Sequence, residues 1–262
     1  MSHPPVRKSL GQHFLHQRSV IEAIVRHFDP RSDDVVVEIG PGRGALTREI
    51  APRVAALHAV ELDRQLAGQL QAQAVEIPNL VVHQQDALRF DYCAVAPRIR
   101  VIGNLPYNIS TPLLFRLLDR LQCIRDMHLM LQKEVVDRML APPGSRTYGR
   151  LSVMVQQRCL GELVLRVAPG AFTPPPKVQS AVVVLWPDTG DRNPVDDPKR
   201  FSELVKRAFA QRRKTLRNAL KGMVGEEQFA DCDIAADARA EQLSVAEFAR
   251  LSNAASGTRS ED

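Results

Sequence analysis

Short apolar runs alternate with helical patterns between residues 35 and 131, and this alternation limits the possible folds more than any other feature of the sequence. Five runs have the length and β-branched content of buried strands, at 35–39, 57–62, 80–85, 99–104 and 126–131. Apolar residues recur at helical spacing before and between most of these runs, at 17–28, 45–52, 63–75 and 111–121. Such alternation is typical of βαβ units, which build a parallel sheet. The sequence therefore predicts a doubly wound α/β fold.

The pattern changes after residue 131. Helical patterns occur at 133–140 and 151–159, and strand patterns at 163–168 and 180–186. The residues between the two strands are too rich in proline for either element, so we expect an ordered loop there. We expect the two strands to form a hairpin-like pair that closes one edge of the sheet.

A polar segment at 188–198, with one glycine and two prolines, is the best candidate for a linker. Beyond it, apolar residues recur at the spacing of one helix face, so this part of the chain is predicted to be all-helical. We therefore predict a first domain at 1–190 and a small helical domain at 191–262.

Composition excludes several classes of protein. A chain of 262 residues that is 44% hydrophobic and 25% charged is globular, and it can fold without disulfides or a structural metal. The longest apolar run, 181–186, is far shorter than the roughly 18 residues of a membrane span, and the N-terminal residues lack the apolar core of an export signal. The cysteines, at 93, 123, 159 and 232, form no Cys-x-x-Cys pair. We therefore expect reduced thiols, no metal, no membrane partner and a cytoplasmic location.

Three acidic or glycine-rich marks follow three successive predicted strands. Glu38-Ile-Gly40-Pro-Gly42-Arg-Gly44 leaves the first strand, Glu61 ends the second and Asp86 follows the third. The glycine spacing differs from the G-x-G-x-x-G motif of nicotinamide-binding proteins, because that motif requires a glycine at position 45, which is alanine here, and the third glycine, Gly44, comes one residue earlier. A carboxylate after the second strand suits ribose hydroxyls, and one after the third suits an adenine amine. Together, the glycine loop and the two carboxylates predict a cofactor with a ribose and an adenine but no phosphate, which describes S-adenosylmethionine. The alternative is that the two acidic residues only cap loops and helices.

The tetrapeptide Asn104-Leu105-Pro106-Tyr107 follows the fourth strand and so faces the same crevice. The side-chain oxygen of Asn104 and a neighbouring backbone oxygen can accept both N–H groups of an adenine amine, which directs the nitrogen lone pair towards a methyl group. Tyr107 can stack on the base, and Phe172 is a candidate for a second stacking wall. The alternative is a simple turn with its tyrosine in the core.

Basic residues are concentrated near the C-terminus. Nine Lys/Arg and one acid lie between Lys199 and Lys221, whereas nine acids and three arginines follow from Gly222 onward. Projected on a helix, Lys206, Arg213 and Arg217 form one row and Arg207, Lys214 and Lys221 form the next. Arg212 falls in the apolar arc, so we expect the helix to break near Gln211. The pattern indicates either a surface for phosphate backbones or a solvated helix face.

These motifs together resemble the ribosomal RNA adenine dimethylase family, in particular its bacterial branch that acts on the small subunit. The matching stretches are KSLGQHFL (8–15), VEIGPGRGALT (37–47), VELD (60–63), QQDAL (84–88), GNLPYNISTPLL (103–114), MLQKEVVDRM (130–139), YGRLSV (148–153), AFTPPPKVQSAVV (171–183) and QRRKTLRN (211–218). The resemblance implies a class I (Rossmann-like) methyltransferase with a seven-stranded, mostly parallel sheet and a small all-α C-terminal domain.

The resemblance also implies an activity. Methyl groups pass from S-adenosylmethionine, leaving S-adenosylhomocysteine, to N6 of two adjacent adenosines in the 3′-terminal hairpin loop of 16S rRNA in the immature 30S subunit. It assigns cofactor contacts to His13, Leu15, Gly40, Glu61, Asp86 and Asn104, and the base pocket to Asn104, Leu105, Pro106, Tyr107 and Phe172. Gln12 is a further candidate near the methionine end, and His13 replaces the asparagine that the family often has. Candidate phosphate contacts are Lys8, Arg146, Arg150, Lys177, Lys206, Arg207, Arg213, Lys214, Arg217 and Lys221.

Three alternatives stay open on the sequence. A resistance-type methyltransferase of the large-subunit rRNA would share the fold, although the stretches at 171–183 and 211–218 favour the small subunit. A DNA adenine methyltransferase would more usually have D-P-P-Y in place of N-L-P-Y. A non-catalytic ribosome-assembly factor could keep the fold without the activity. No extended apolar seam indicates more than a monomer.

Overall fold

A computed structural model of the protein describes Arg7 and residues 11–188, 192–211 and 213–256. The chain divides into two compact units. The described residues of the first fall within Met1–Val136 and Gly161–Pro187, and those of the second within Asp137–Leu160 and Asp188–Asp262.

A seven-stranded sheet forms the centre of the first unit. Its strands are β2 (Val35–Ile39), β3 (Ala56–Glu61), β4 (Leu80–Gln84), β5 (Ile99–Asn104), β6 (Ile124–Gln132), β7 (Cys159–Val167) and β9 (Ser180–Pro187). Their order in the sheet is β4-β3-β2-β5-β6-β9-β7. Strands β2 to β6 pair in parallel, and β9 runs antiparallel to β6. The predicted mostly parallel sheet is confirmed, with β7 and β9 closing its edge as expected.

Helices lie before, between and after the parallel strands, and an amphipathic helix buries its apolar face. They are α1 (Arg18–Phe28), α2 (Thr47–Ile50), α3 (Arg64–Ala74), α4 (Ser110–Leu118) and α5 (Lys133–Met139). The apolar face of α1 buries Ile24, Val25 and Phe28. Asp63 caps the N-terminus of α3 by accepting from the backbone N–H groups of Gln65 and Leu66.

A two-stranded antiparallel sheet joins distant parts of the first unit. It pairs β1 (Phe14–Leu15) with β8 (Phe172–Thr173), so that Leu15 lies opposite Phe172. The sequence did not predict this pairing, since two-residue strands leave no periodic pattern. It ties the segment before α1 to the proline-rich loop before β9.

The second unit is helical, as predicted. Its helices are α6 (Arg150–Gln156), α7 (Pro198–Ala210), α8 (Leu216–Ala219), α9 (Glu226–Asp231) and α10 (Val245–Ser256). Their shared core includes Tyr148, Val153, Phe201, Leu204 and Phe248. Residues 137–160, which the sequence placed in the first domain, therefore belong to this unit, because Tyr148 and Val153 of this segment pack into its core.

Three local expectations need correction. The helix predicted to reach residue 159 ends at Gln156, and Cys159 begins β7. Two cysteines are not thiols: Cys93 lies within one short 3-10 turn and Cys123 ends another, and they form a disulfide. The two straight rows of basic residues do not exist, because α7 ends at Ala210 and Gln211 is extended.

The break near Gln211 is itself confirmed, whereas Arg212 lies outside the described residues. Within the described part of the chain, no helix combines the length and the hydropathy that crossing a membrane requires.

Candidate active site

A cavity opens at the carboxyl ends of the parallel strands in the first unit. Its walls are residues 11–15, the glycine loop after β2, the end of β3 and the loops after β4 and β5. The predicted site residues that line it are Gln12, His13, Leu15, Gly40, Glu61, Asp86, Asn104, Leu105, Pro106 and Tyr107. Every predicted cofactor contact and all of the predicted base pocket except Phe172 thus meet in one cavity. This is the place where open α/β sheets bind ligands.

Two glycines bring the walls of the cavity together. Gly40 has φ of +64°, a conformation that glycine adopts without strain. A Cβ atom at Gly103 would lie 2.5 Å from the carbonyl oxygen of Ile39, so only glycine lets β5 pack so closely on β2. Because Asn104 follows Gly103 directly, this approach places Asn104 beside the glycine loop.

Glu61 is oriented by backbone donors. One carboxylate oxygen accepts from the Gly42 N–H at 3.1 Å and the other from the Asp63 N–H at 2.9 Å, and the residue is 7% exposed. Burial raises the pKa of Glu61, an effect that these two hydrogen bonds oppose. Each oxygen keeps a lone pair for a further donor, as the proposed ribose contact requires.

Glu38 also lines the cavity, although its position in the sequence predicted no role for it. It is 2% exposed and accepts a hydrogen bond of 2.6 Å from the Thr47 hydroxyl. Burial, with a smaller contribution from Glu61, raises the pKa of Glu38 to about 7. The sequence does contain a sign of such a role, because Glu38 is a charged residue inside an otherwise apolar buried strand.

Asp86 lies just past the end of β4. One of its oxygens accepts from the Leu88 N–H at 2.9 Å, and the side chain is half-buried in the cavity wall. The other oxygen is the one that can accept from an amine.

Asn104 is held in one orientation by the N-terminal segment. Its side-chain Nδ2 donates to the carbonyl oxygen of His13 at 2.9 Å. The side-chain oxygen Oδ1 has no donor among the described residues, so it remains available as an acceptor. The Leu105 N–H donates to the carbonyl oxygen of Met130 at 3.0 Å, which anchors the loop to the neighbouring strand β6.

Tyr107 is half-buried and keeps contact with the cavity. Its hydroxyl is 2.6 Å from the hydroxyl of Ser180, and its ring centroid is 5.4 Å from that of His13. Phe172, by contrast, is 2% exposed and packs in the core of the sheet. The prediction that Phe172 forms a second stacking wall is not supported, because its pairing with Leu15 turns it into core.

The N-terminal segment is held by contacts to two other parts of the first unit. Gln12 donates to Asp63 at 3.1 Å, and Arg7 forms an ion pair with the same carboxylate at 3.3 Å. The Nδ1 of His13 donates to the carbonyl oxygen of Pro174 at 2.8 Å. The side chain of Gln12 thus has hydrogen-bond partners in the protein while it lines the cavity, and its contact with the cofactor stays a prediction.

The six basic residues near the C-terminus that are predicted to contact rRNA are all exposed in the second unit. They are Lys206, Arg207, Arg213, Lys214, Arg217 and Lys221. Half of them have acidic partners. Lys206 and Arg207 share Glu203, at 3.2 and 3.0 Å. Arg217 pairs with Glu226 at 2.7 Å. Of the further candidates, Arg146, Arg150 and Lys177 are exposed, and Lys8 lies outside the described residues.

Comparison with known proteins assigns the chain to a family. The sequence profile of the ribosomal RNA adenine dimethylases matches residues 5–256. The chain belongs to the ribosomal RNA adenine dimethylase family. The resemblance seen in the sequence is thus confirmed over nearly the whole chain.

Two curated relatives of this dimethylase bear the name ribosomal RNA small subunit methyltransferase A. The protein of Alcanivorax borkumensis is 49% identical over 250 residues, which cover 94% of this chain and 89% of that protein. The protein of Xanthomonas campestris pv. campestris is 51% identical over 251 residues, which cover 95% and 96%.

Solved structures agree with the fold of the dimethylase. A dimethyladenosine transferase from Plasmodium falciparum matches with a TM-score of 0.80 and 26% identity, over 91% of this chain and 96% of that one. A 23S rRNA methyltransferase, ErmE, matches with a TM-score of 0.73 and 24% identity, over 93% and 99%, and this likeness concerns the fold alone. The class I methyltransferase architecture is confirmed.

Proposed function

We propose that this dimethylase transfers methyl groups from S-adenosylmethionine to N6 of two adjacent adenosines in the 3′-terminal hairpin loop of 16S rRNA. Family membership makes the chain an rRNA adenine methyltransferase. Two relatives that are 49% and 51% identical in sequence are named ribosomal RNA small subunit methyltransferase A, which supports 16S rRNA as the substrate. The observation that carries the proposal is the Asn104 amide: its Nδ2 is bound by the His13 carbonyl, so its Oδ1 is presented to a cavity that also contains Glu61 and Asp86.

The cavity fits S-adenosylmethionine, which supplies an electrophilic methyl group when bound. Glu61 accepts from the ribose hydroxyls through the lone pairs that the backbone N–H groups leave free. Asp86 accepts from the adenine amine through its second oxygen. Gly40, without a side chain, lets the cofactor approach the loop backbone closely.

The target adenine is held by the loop after β5. Oδ1 of Asn104 and a neighbouring backbone carbonyl accept the two N–H groups of its amine, which directs the nitrogen lone pair at the methyl group. Tyr107 stacks on the base. No strong base is required, because the methylated nitrogen is cationic and loses a proton readily, so catalysis rests on position and on oriented dipoles.

The second unit supplies the proposed rRNA contacts. Arg213, Lys214 and Lys221 are exposed and have no ion pair to another described residue, so their charge is available for phosphates. A loop adenine is easier to flip out than a paired one, so an unpaired target in a structured RNA is expected.

The direct test is transfer of tritiated methyl groups to purified immature 30S and 50S subunits, followed by nucleoside analysis. We expect N6,N6-dimethyladenosine in 30S particles only. Transfer to 50S particles alone would replace this proposal with the resistance-type activity. Binding of 30S particles without any methyl transfer or cofactor binding would replace it with a non-catalytic assembly role.

A further inference from the structure

Ser180 is a buried polar residue to which neither the sequence nor the family comparison assigns a role. It begins β9, lies opposite Gln132 of β6 and is fully buried. Its hydroxyl lies 2.6 Å from the hydroxyl of Tyr107, a residue 73 positions away in the chain. A buried hydroxyl without a partner is costly, so this hydrogen bond is a built feature of the cavity wall.

The position of this bond on the tyrosine matters. The Tyr107 hydroxyl is at the far end of the ring, so a partner there restricts rotation of the whole side chain. On its flank the ring meets the His13 ring, at 5.4 Å between centroids and 30° between planes. His13 is in turn held by the Pro174 carbonyl. The ring plane of Tyr107 is thus set by a strand on one side and by the N-terminal segment on the other.

We propose that Ser180 is a positioning residue for methyl transfer, which acts by holding the Tyr107 ring in the plane on which the target adenine stacks. The inference rests on the proposed function in one respect, namely that Tyr107 stacks on the base. Stacking requires a defined ring plane, and a small displacement of a bound reactant reduces the rate strongly. Ser180 is buried and is not among the residues that line the cavity, so it acts through Tyr107 and not by contact with a substrate.

A double-mutant cycle separates this role from simple filling of the core. The variants are Ser180→Ala, Tyr107→Phe and the double variant, assayed with 30S particles for kcat and KM and by calorimetry for cofactor affinity. We expect each single variant to lower kcat about tenfold with cofactor affinity unchanged within twofold. The double variant should match the single ones, because both remove the same bond.

Ser152→Ala is the matched control. Ser152 is also a fully buried serine, and its hydroxyl bonds to backbone groups of Arg138 and Gly149 in the second unit. We expect it to lower the melting temperature and to leave kcat unchanged. This control shows what a purely structural loss of a buried hydroxyl does.

Two outcomes would overturn the inference. Either Ser180→Ala lowers the melting temperature as Ser152→Ala does and leaves kcat unchanged, or its effect on kcat persists in full on the Tyr107→Phe background. The proposed stacking role has its own test in Tyr107→Ala, which removes the ring. Normal turnover in Tyr107→Ala would contradict the proposed function of Tyr107, whereas failure at Ser180 alone would leave it standing.

Discussion

At the scale of single residues, the cavity is made of polar side chains whose orientation other residues decide. Asn104 is held by His13, and Glu61 by the backbone of Gly42 and Asp63. Each bond occupies one part of a polar group and leaves another part for a ligand. Removal of a side chain should therefore affect the step in which its remaining atoms take part.

Replacement of Asn104 by alanine should separate catalysis from cofactor binding. Asn104→Ala removes the acceptor that orients the target amine, so we expect kcat to fall by at least about a hundredfold. The dissociation constant for S-adenosylmethionine should stay within a few-fold of wild type, as measured by calorimetry. Near-normal turnover would contradict the role given to the Asn104 oxygen.

Glu61 should show the opposite pattern. Glu61→Gln keeps the size of the side chain but loses the charge that strengthens its bonds to hydroxyl donors. We expect cofactor binding about tenfold weaker, with a smaller change in kcat at saturating cofactor, as checked by calorimetry and steady-state kinetics. Unchanged affinity would show that Glu61 only orders the glycine loop.

Glu38 should make stability depend on pH. Its pKa in the folded protein, about 7, is above the unfolded value of 4.5, so the folded state holds the proton more tightly. The stability that this proton gives is present in full below pH 4.5 and is lost as the pH rises through 7. Glu38→Gln should therefore reduce the decline in unfolding free energy between pH 4.5 and 7.5 by up to about 3 kcal/mol.

Urea denaturation of wild type and variant at several pH values measures this difference. The comparison also cancels other buried groups, such as His128, whose pKa burial lowers to about 3 and whose contribution changes with the opposite sign. An identical pH slope in both proteins would show that Glu38 does not titrate in this range.

At the scale of elements, the site depends on how closely β5 packs on β2. Gly103 of β5 lies against the carbonyl oxygen of Ile39 of β2, and the residue after Gly103 is Asn104. The β1–β8 pairing then brings His13 to Asn104 from outside the main sheet. A side chain at position 103 would clash with the Ile39 carbonyl and so displace the part of β5 that carries Asn104.

Addition of one methyl group should show this dependence. Gly103→Ala would force a Cβ atom to 2.5 Å from the Ile39 carbonyl, so we expect a loss of about 3 kcal/mol of stability and a fall in kcat. Gly68→Ala is the control, since that glycine lies in the exposed interior of α3 with open space around it. There alanine should stabilise by about 0.5–1 kcal/mol. Equal effects at the two sites, measured by urea denaturation, would contradict the close-packing argument.

At the scale of the whole molecule, two units carry two kinds of chemistry. The first contains the cavity, and the second contains the six exposed basic residues. Because half of these residues are already paired with acids, their contributions to RNA binding should differ. Charge reversal in this unit tests the contribution of the basic surface to RNA binding.

Reversal of Arg213, Lys214 and Arg217 to glutamate should weaken binding of 30S particles at least tenfold and flatten its dependence on salt. Cofactor affinity should not change. Arg18→Glu, a single reversal of an exposed, ion-paired arginine of α1, is the control for loss of a positive charge in the first unit. Loss of both RNA and cofactor affinity in the triple variant would indicate misfolding instead of a lost contact.

The sequence by itself determined the sheet, the helical C-terminal part and the residues that meet in the cavity. Periodicity predicts elements because each must bury one face, and parallel strands bring their carboxyl ends to one edge. Glu61, Asp86 and Asn104 each end or follow a strand. Their positions in the sequence therefore suffice to predict that they lie close together at the carboxyl edge of the sheet.

Only the tertiary structure decided which side chains face the cavity and what holds them. In the folded protein Phe172 is buried in the core, and Cys93 forms a disulfide with Cys123. The hydroxyls of Ser180 and Tyr107 are hydrogen-bonded, and Asn104 donates to the carbonyl oxygen of His13. These contacts link residues far apart in the chain, through strands of two residues or through loops. Such contacts leave no local pattern, since they are selected by packing in three dimensions and not by the period of a helix or strand.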